Sequence, residues 1–129
     1  MATDSRKKLR ETGLQNRREV LGDKYVDKAL KNITDFNRPL QDLLNEYCWG
    51  ACWGREDLTR KERSMIVLGI LTALGKSEEV ATHVRGALNN GLTEQQIAGV
   101  FLQAAIYCGV PAAVDSFRSA GPVIAEHHG

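Results

Sequence analysis

Apolar positions recur along this chain with helical spacing, and no apolar–polar alternation persists long enough to suggest a strand. Thr59-Arg60-Lys61-Glu62 has the form of a capping box, in which the threonine hydroxyl and Glu62 each bond the other's backbone amide. It predicts a helix carrying Met65, Ile66, Val67, Leu68, Ile70, Leu71 and Leu74, apolar on nearly every side, that stops at Gly75. A helix of that kind belongs at the centre of a fold or in a subunit contact. Ser77 opens the next, with Glu78 and Glu79 suited to the positive end of the helix dipole and Asn90-Gly91 closing it. Thr93-Glu94-Gln95-Gln96 repeats the capping box ahead of Ile97, Val100, Phe101, Ala104, Ala105 and Ile106. Pro111 then starts a helix holding Ala113, Val114, Phe117, Ala120 and Ile124. Nearer the N-terminus the pattern predicts helices over 6–20 and 24–34, parted by Leu21-Gly22-Asp23, and a third over 39–47 started by Pro39. The expected fold is all-α: a compact domain of about six to seven helices.

Charge and length narrow the class. The chain has 129 residues, 43% hydrophobic and 26% charged, which suits one domain with one core. Lys and Arg total 17 against 16 Asp and Glu, so no basic footprint for nucleic acid or a membrane surface is expected. The basic excess is local: residues 1–38 hold 10 Lys/Arg against 6 Asp/Glu, read as a solvated first helix or tail over 1–12. Three cysteines, Cys48, Cys52 and Cys108, fit a reducing compartment better than a disulfide scaffold. They are expected to be small packing residues, dispensable for chemistry. The first ten residues are polar, unlike a signal peptide, and the most apolar stretch, 97–114, contains Gln103 and breaks at Gly109 and Pro111. The expected location is the cytoplasm.

The candidate chemistry is concentrated in few residues. His83 lies mid-helix at the edge of an apolar face, one turn from Glu79, where an imidazole can exchange a proton near neutral pH; a hydrogen-bonded core histidine is the plainer reading. The Cys48–Asp57 segment holds both tryptophans, two cysteines, two glycines and Arg55, so it is either a buried junction or a pocket wall. Cys-x-x-Cys, metal-ligand spacing and a Gly-rich phosphate loop are absent from the sequence, so no metal and no cofactor is expected. Glu46, Arg55, Arg63, His83 and Arg85, with Trp49, Trp53 and Tyr107, remain as a kit for acid–base work on an anionic substrate.

Several segments carry a resemblance. Arg17-Arg18-Glu19-Val20-Leu21-Gly22-Asp23, Glu46-Tyr47-Cys48-Trp49-Gly50, Arg63-Ser64, the run from His83 to Gly91, and Tyr107-Cys108-Gly109-Val110-Pro111-Ala112 together resemble the carboxymuconolactone decarboxylases, over residues 13–125. The resemblance implies an all-helical, alkylhydroperoxidase D-like fold and a ring-shaped homo-oligomer, a hexamer or a trimer. It also implies cofactor-independent decarboxylation of 4-carboxymuconolactone to 3-oxoadipate enol-lactone in the protocatechuate branch of the β-ketoadipate pathway. His83 would move the proton, oriented by Glu46 or Glu79; Arg63 and Arg85 would hold carboxylates; Trp49, Trp53 and Tyr107 would line the substrate site. The peroxide-reducing branch of the superfamily would need thiols at positions 76 and 79, where this chain has Lys76 and Glu79. Arg55-Glu56-Asp57 and Gly99 depart from the family pattern. A non-catalytic helical oligomer or binding module, and a thiol-dependent reductase or peroxidase, are the alternatives.

Overall fold

Glycine sets how closely the first helices meet. In the computed structural model, which describes residues 2–129, helix α1 runs Ala2–Leu21, α2 Asp23–Lys31 and α3 Arg38–Leu43. Met1, the start of the predicted basic segment 1–12, lies outside the described residues. From α3 the chain continues as a π-helical segment, Leu44–Cys52, closed by a bond from the Trp53 amide to the Cys48 carbonyl at 2.9 Å. A Cβ on Gly13 of α1 would overlap the Asn45 carbonyl oxygen, and one on Gly50 would lie 2.8 Å from the Leu9 carbonyl oxygen. Two backbones therefore touch where side chains would hold them apart. Asn16 Nδ2 donates to the Trp49 carbonyl at 2.9 Å across this contact. Val20, Leu21, Val26, Trp49 and Trp53 are buried, and the two indoles stack with centroids 4.9 Å apart.

These elements make up a unit ending at Leu58; a second unit runs from Thr59 to Gly129. Its helices are α4 Arg60–Leu74, α5 Ser77–Asn89, α6 Glu94–Cys108 and α7 Val110–His128. Both predicted capping boxes form. Thr59 Oγ1 accepts from the Glu62 amide at 3.2 Å, and Thr93 Oγ1 from the Gln96 amide at 3.0 Å. Gly75 takes the left-handed conformation (φ 71°) at the end of α4, and the Lys76 amide bonds back to the Leu71 carbonyl at 3.0 Å. The core is built from Leu68, Val80, Val84, Ala87, Leu92, Ile97, Phe101, Ala120 and Val123. Phe101 meets Phe117 edge to face at 5.3 Å. Within this core Thr72 and Ser116 share a hydroxyl bond of 2.8 Å, and Thr72 also donates to the Leu68 carbonyl at 2.7 Å.

All the described regular elements are helical, as the pattern predicts. The differences are local. α1 starts four residues earlier than the apolar pattern suggests, and Arg6 near its start reaches Glu46. The third predicted helix extends past Tyr47 as the widened π turn, where Gly50 admits the close approach of the α1 backbone. Among the described residues no helix is long and apolar enough to cross a membrane.

Gly13→Ala tests the glycine contact. The added methyl has backbone as its neighbour, which cannot swing aside, so the first unit should lose about 3 kcal/mol or more. Urea unfolding followed by tryptophan emission, which reports Trp49 and Trp53, measures the loss.

Candidate active site

Helix α5 positions His83 by its apolar side. Val80, Val84 and Ala87 are buried in the core, which leaves His83 at the margin of that face, partly covered. Burial lowers its pKa to about 4, and the Glu79 carboxylate one turn back acts in the opposite direction. The imidazole is therefore neutral at neutral pH. Of the two carboxylates proposed from the sequence as its partner, Glu79 is the one whose charge acts on it.

Arg63 stands on α4 and is 8% exposed. Its neighbour Ser64 is fully buried and accepts from Asn90 Nδ2 at 2.9 Å, a bond that ties the start of α4 to the end of α5. Antiparallel α4 and α5 are thus fixed in level, and His83 lies about 10 Å of helix rise from that tie. Arg63 and His83 share one pair of helices without sharing one point. Arg85, two residues from His83, projects from a different side of α5 and its Nη2 lies 3.5 Å from Glu126 Oε2 on α7.

The remaining predicted residues are placed as follows. Glu46 is 2% exposed in the first unit, its Oε1 accepting from Arg10 Nη1 at 2.8 Å and its Oε2 lying 3.5 Å from Arg6 Nε. The Arg10 hydrogen bond is foremost in holding its carboxyl below the usual range, against the opposing effect of burial, and Arg6 adds to it. Trp49 and Trp53 are buried against each other, the junction reading of that segment. Arg55 bonds Asp57 through Nε and Nη2 at 3.0 and 2.8 Å. Tyr107 is 80% exposed on the rim of a groove of about 690 Å³ between α4 and α6, lined by Met65, Ile66, Gly69, Gly99 and Val100 among others. Cys52 and Cys108 are exposed and Cys48 is half-buried, so two of the three are not the packing residues expected.

Sequence reasoning missed Arg6 and Arg10 as partners of Glu46. Their spacing of four on α1 puts both on one helix face, a signal that was available. It also missed Arg17, on the same face, which is 5% exposed and bonds Gln41 Oε1 at 2.9 Å and Asn45 Oδ1 at 3.2 Å.

A four-helix unit with a shielded mid-helix imidazole, met by the His83–Gly91 and Arg63-Ser64 segments, defines a class that the comparisons identify. The model of the carboxymuconolactone decarboxylase family matches residues 38–121, and the chain belongs to that family. It is 43% identical over 110 residues to the nitrosuccinic acid decarboxylase of Metarhizium robertsii, covering 85% of this chain and 77% of that protein. It is 36% identical over 114 residues to the 4-carboxymuconolactone decarboxylase of Acinetobacter baylyi, covering 88% and 85% respectively.

The low pKa of His83 has a consequence for stability. Between about 4 and the ordinary 6.5 the unfolded chain binds a proton that the folded chain does not. The stability this group contributes is whole above pH 6.5 and is lost as pH falls towards 4, by up to about 3 kcal/mol. Urea midpoints across that window should fall for the native chain and fall less for His83→Gln.

Proposed function

We propose that this chain is a cofactor-independent carboxy-lyase that converts 4-carboxymuconolactone to 3-oxoadipate enol-lactone, a step of the protocatechuate branch of the β-ketoadipate pathway. The observation that carries the reading is His83, an imidazole shielded enough to stay neutral before substrate arrives, within a chain of this family. Loss of CO₂ from the ring carbon leaves an electron pair that conjugates through the ring alkene into the lactone carbonyl. The dienolate then takes a proton at the carbon α to that carbonyl. The substrate is its own electron sink, so the protein has to bind carboxylates, steady the new oxyanion and deliver one proton.

In this reading a dianionic substrate raises the pKa of His83 on binding, because two negative charges now favour the imidazolium, and Glu79 acts in the same sense. The proton taken up is the one delivered to carbon. Arg63 offers a planar fork of donors to the retained acetate from the neighbouring helix. Arg85, engaged with Glu126, serves as a second clamp when that long ion pair opens. Glu46, Trp49 and Trp53 belong to the frame of the first unit.

The 43% identity to a nitrosuccinic acid decarboxylase supports a second substrate, 2-nitrosuccinate. The two molecules share a recognisable unit: the carbon that loses CO₂ also carries a CH₂–carboxylate and adjoins an electron sink, the unsaturated lactone or the nitro group. Either sink accepts the electron pair, as dienolate or nitronate, and one proton completes the reaction, at the carbon α to the carbonyl in the dienolate and at the carbon that lost CO₂ in the nitronate.

Incubating the purified protein with each substrate, with CO₂ release and product followed by NMR, tests the reading. Turnover of neither overturns it and restores a non-catalytic module. His83→Gln should keep native helicity and lose about 10²–10⁴-fold in kcat; unchanged kcat removes His83 from the mechanism.

We also propose a closed homo-oligomeric ring, a hexamer or a trimer. Ile66, Ile70 and Leu74 of α4 and Leu102, Ile106 and Tyr107 of α6 are each between 47% and 80% exposed, an apolar face too large for a chain that works alone. The α4–α6 groove has no charged residue in its lining, which suits an apolar surface of another copy. Light scattering at micromolar concentration should give a mass of three or six chains; a well-behaved monomer rejects the ring.

A further inference from the structure

The first unit holds a group of residues that decarboxylation does not use. Arg17 is a buried guanidinium bonded to two neutral amide oxygens, Gln41 Oε1 and Asn45 Oδ1, and its Nε has no hydrogen-bond partner. The charges that act on it are those of Tyr25 and Cys48, and neither is a carboxylate. A buried cation without an anion is costly, and an anion forming beside it would be stabilised. Asn45, which Arg17 bonds, stands three residues before Cys48, and Cys48 stands four residues, just under one π-helical turn, before Cys52, so the two cysteines lie on adjoining turns of one side of the segment. Cys48 is half-buried within reach of the Arg17 charge, and Cys52 is exposed. Burial, and after it the neighbouring Cys52, push the Cys48 thiol up, and the charge of Arg17 opposes them.

We propose that Cys48 and Cys52 form a reversible thiol–disulfide pair, a modification site at which Cys52 meets a low-molecular-weight disulfide of the glutathione class and Cys48, beside Arg17, closes the bond. The Cys52 thiolate attacks one sulfur of the external disulfide, forming a mixed disulfide and releasing one thiolate. Cys48 then gives up its proton, its thiolate held by the Arg17 guanidinium, and attacks the Cys52 sulfur. The Cys48–Cys52 bond forms, the mixed bond breaks, and the second external thiolate leaves. Two protein thiols are oxidised and one external disulfide is reduced to two thiols. Neighbouring turns place Cβ atoms about 5–6 Å apart, whereas a disulfide wants about 3.5–4.5 Å. The segment has to tighten locally, and a bond made under that strain is readily reduced again. Because Trp49 and Trp53 interleave with the two cysteines, closure alters their stack.

The test uses the full chain, reduced, desalted and incubated with oxidised glutathione, then quenched in acid for intact mass. The expected result is the loss of two hydrogens with no glutathione retained, reversed by dithiothreitol and accompanied by a change in tryptophan emission. Chymotryptic cleavage after Trp49 should leave the two fragments joined. Cys52→Ser should abolish the loss, Cys108→Ser should leave it unchanged, and Arg17→Gln should slow closure about tenfold. A glutathione adduct on Cys52 that never resolves, no reaction at all, or a two-hydrogen loss that survives in Cys52→Ser overturns the pair. An unchanged rate in a folded Arg17→Gln variant overturns the role of Arg17, and the cysteine variants decide the rest without it.

Discussion

Helices α4 and α6 carry more apolar surface than the four-helix unit can cover, and much else follows from that excess. One side of each goes to the core through Leu68, Ile97 and Phe101. The other side stays open along the groove, where Gly69 and Gly99 have no atoms within 4 Å of the place a Cβ would occupy. A methyl at either glycine would narrow the groove without meeting anything in this chain. The core side also fixes α5, since Val80, Val84 and Ala87 point inward and His83 is carried to the margin of the same face. Its chemistry is thus set by packing: the imidazole is covered enough to resist a proton, yet stays at an edge.

The first unit shows the opposite balance. Its α1 is mostly polar, and its contact with the π-helical segment rests on glycine backbone, on Asn16 and on arginines that reach buried acceptors. Glu46 sits within a pair of arginines, while Arg17 sits among neutral oxygens. Two buried charges on neighbouring elements therefore have very different surroundings. One is neutralised and spent, and the other keeps a demand for negative charge.

The second unit was the more legible in sequence because its signals are local. Capping boxes, Gly75 and Gly91 lie within a few residues of the amides and carbonyls they satisfy, so they can be read without knowing the fold. In the first unit the deciding contacts span long stretches of chain. Arg10 and Glu46 are 36 residues apart and Asn16 and Trp49 are 33, and no pattern around either member announces the other. Arg6 and Arg10 of the basic run hold a buried carboxylate that their own neighbourhood in sequence does not contain. The π turn was hidden for a related reason: Gly50 signals a close approach but not which helix approaches. His83 was picked out by its place on a helix face, whereas its depressed pKa depended on how completely the surrounding helices cover it.

The hydroxyl pair between Thr72 and Ser116 adds a selective effect to the packing of α7 on α4. Leucine, valine and alanine pack almost as well when one helix slides past another by a turn. A threonine and a serine do not, because sliding would part them, leaving Thr72 only its bond to the Leu68 carbonyl and taking this partner from the buried Ser116 hydroxyl. A Ser116 hydroxyl left unpaired there would cost about 1–3 kcal/mol. Among the nearly equivalent ways of laying α7 on α4, the pair therefore acts as an alignment key. It adds little to the depth of the native minimum while raising its neighbours.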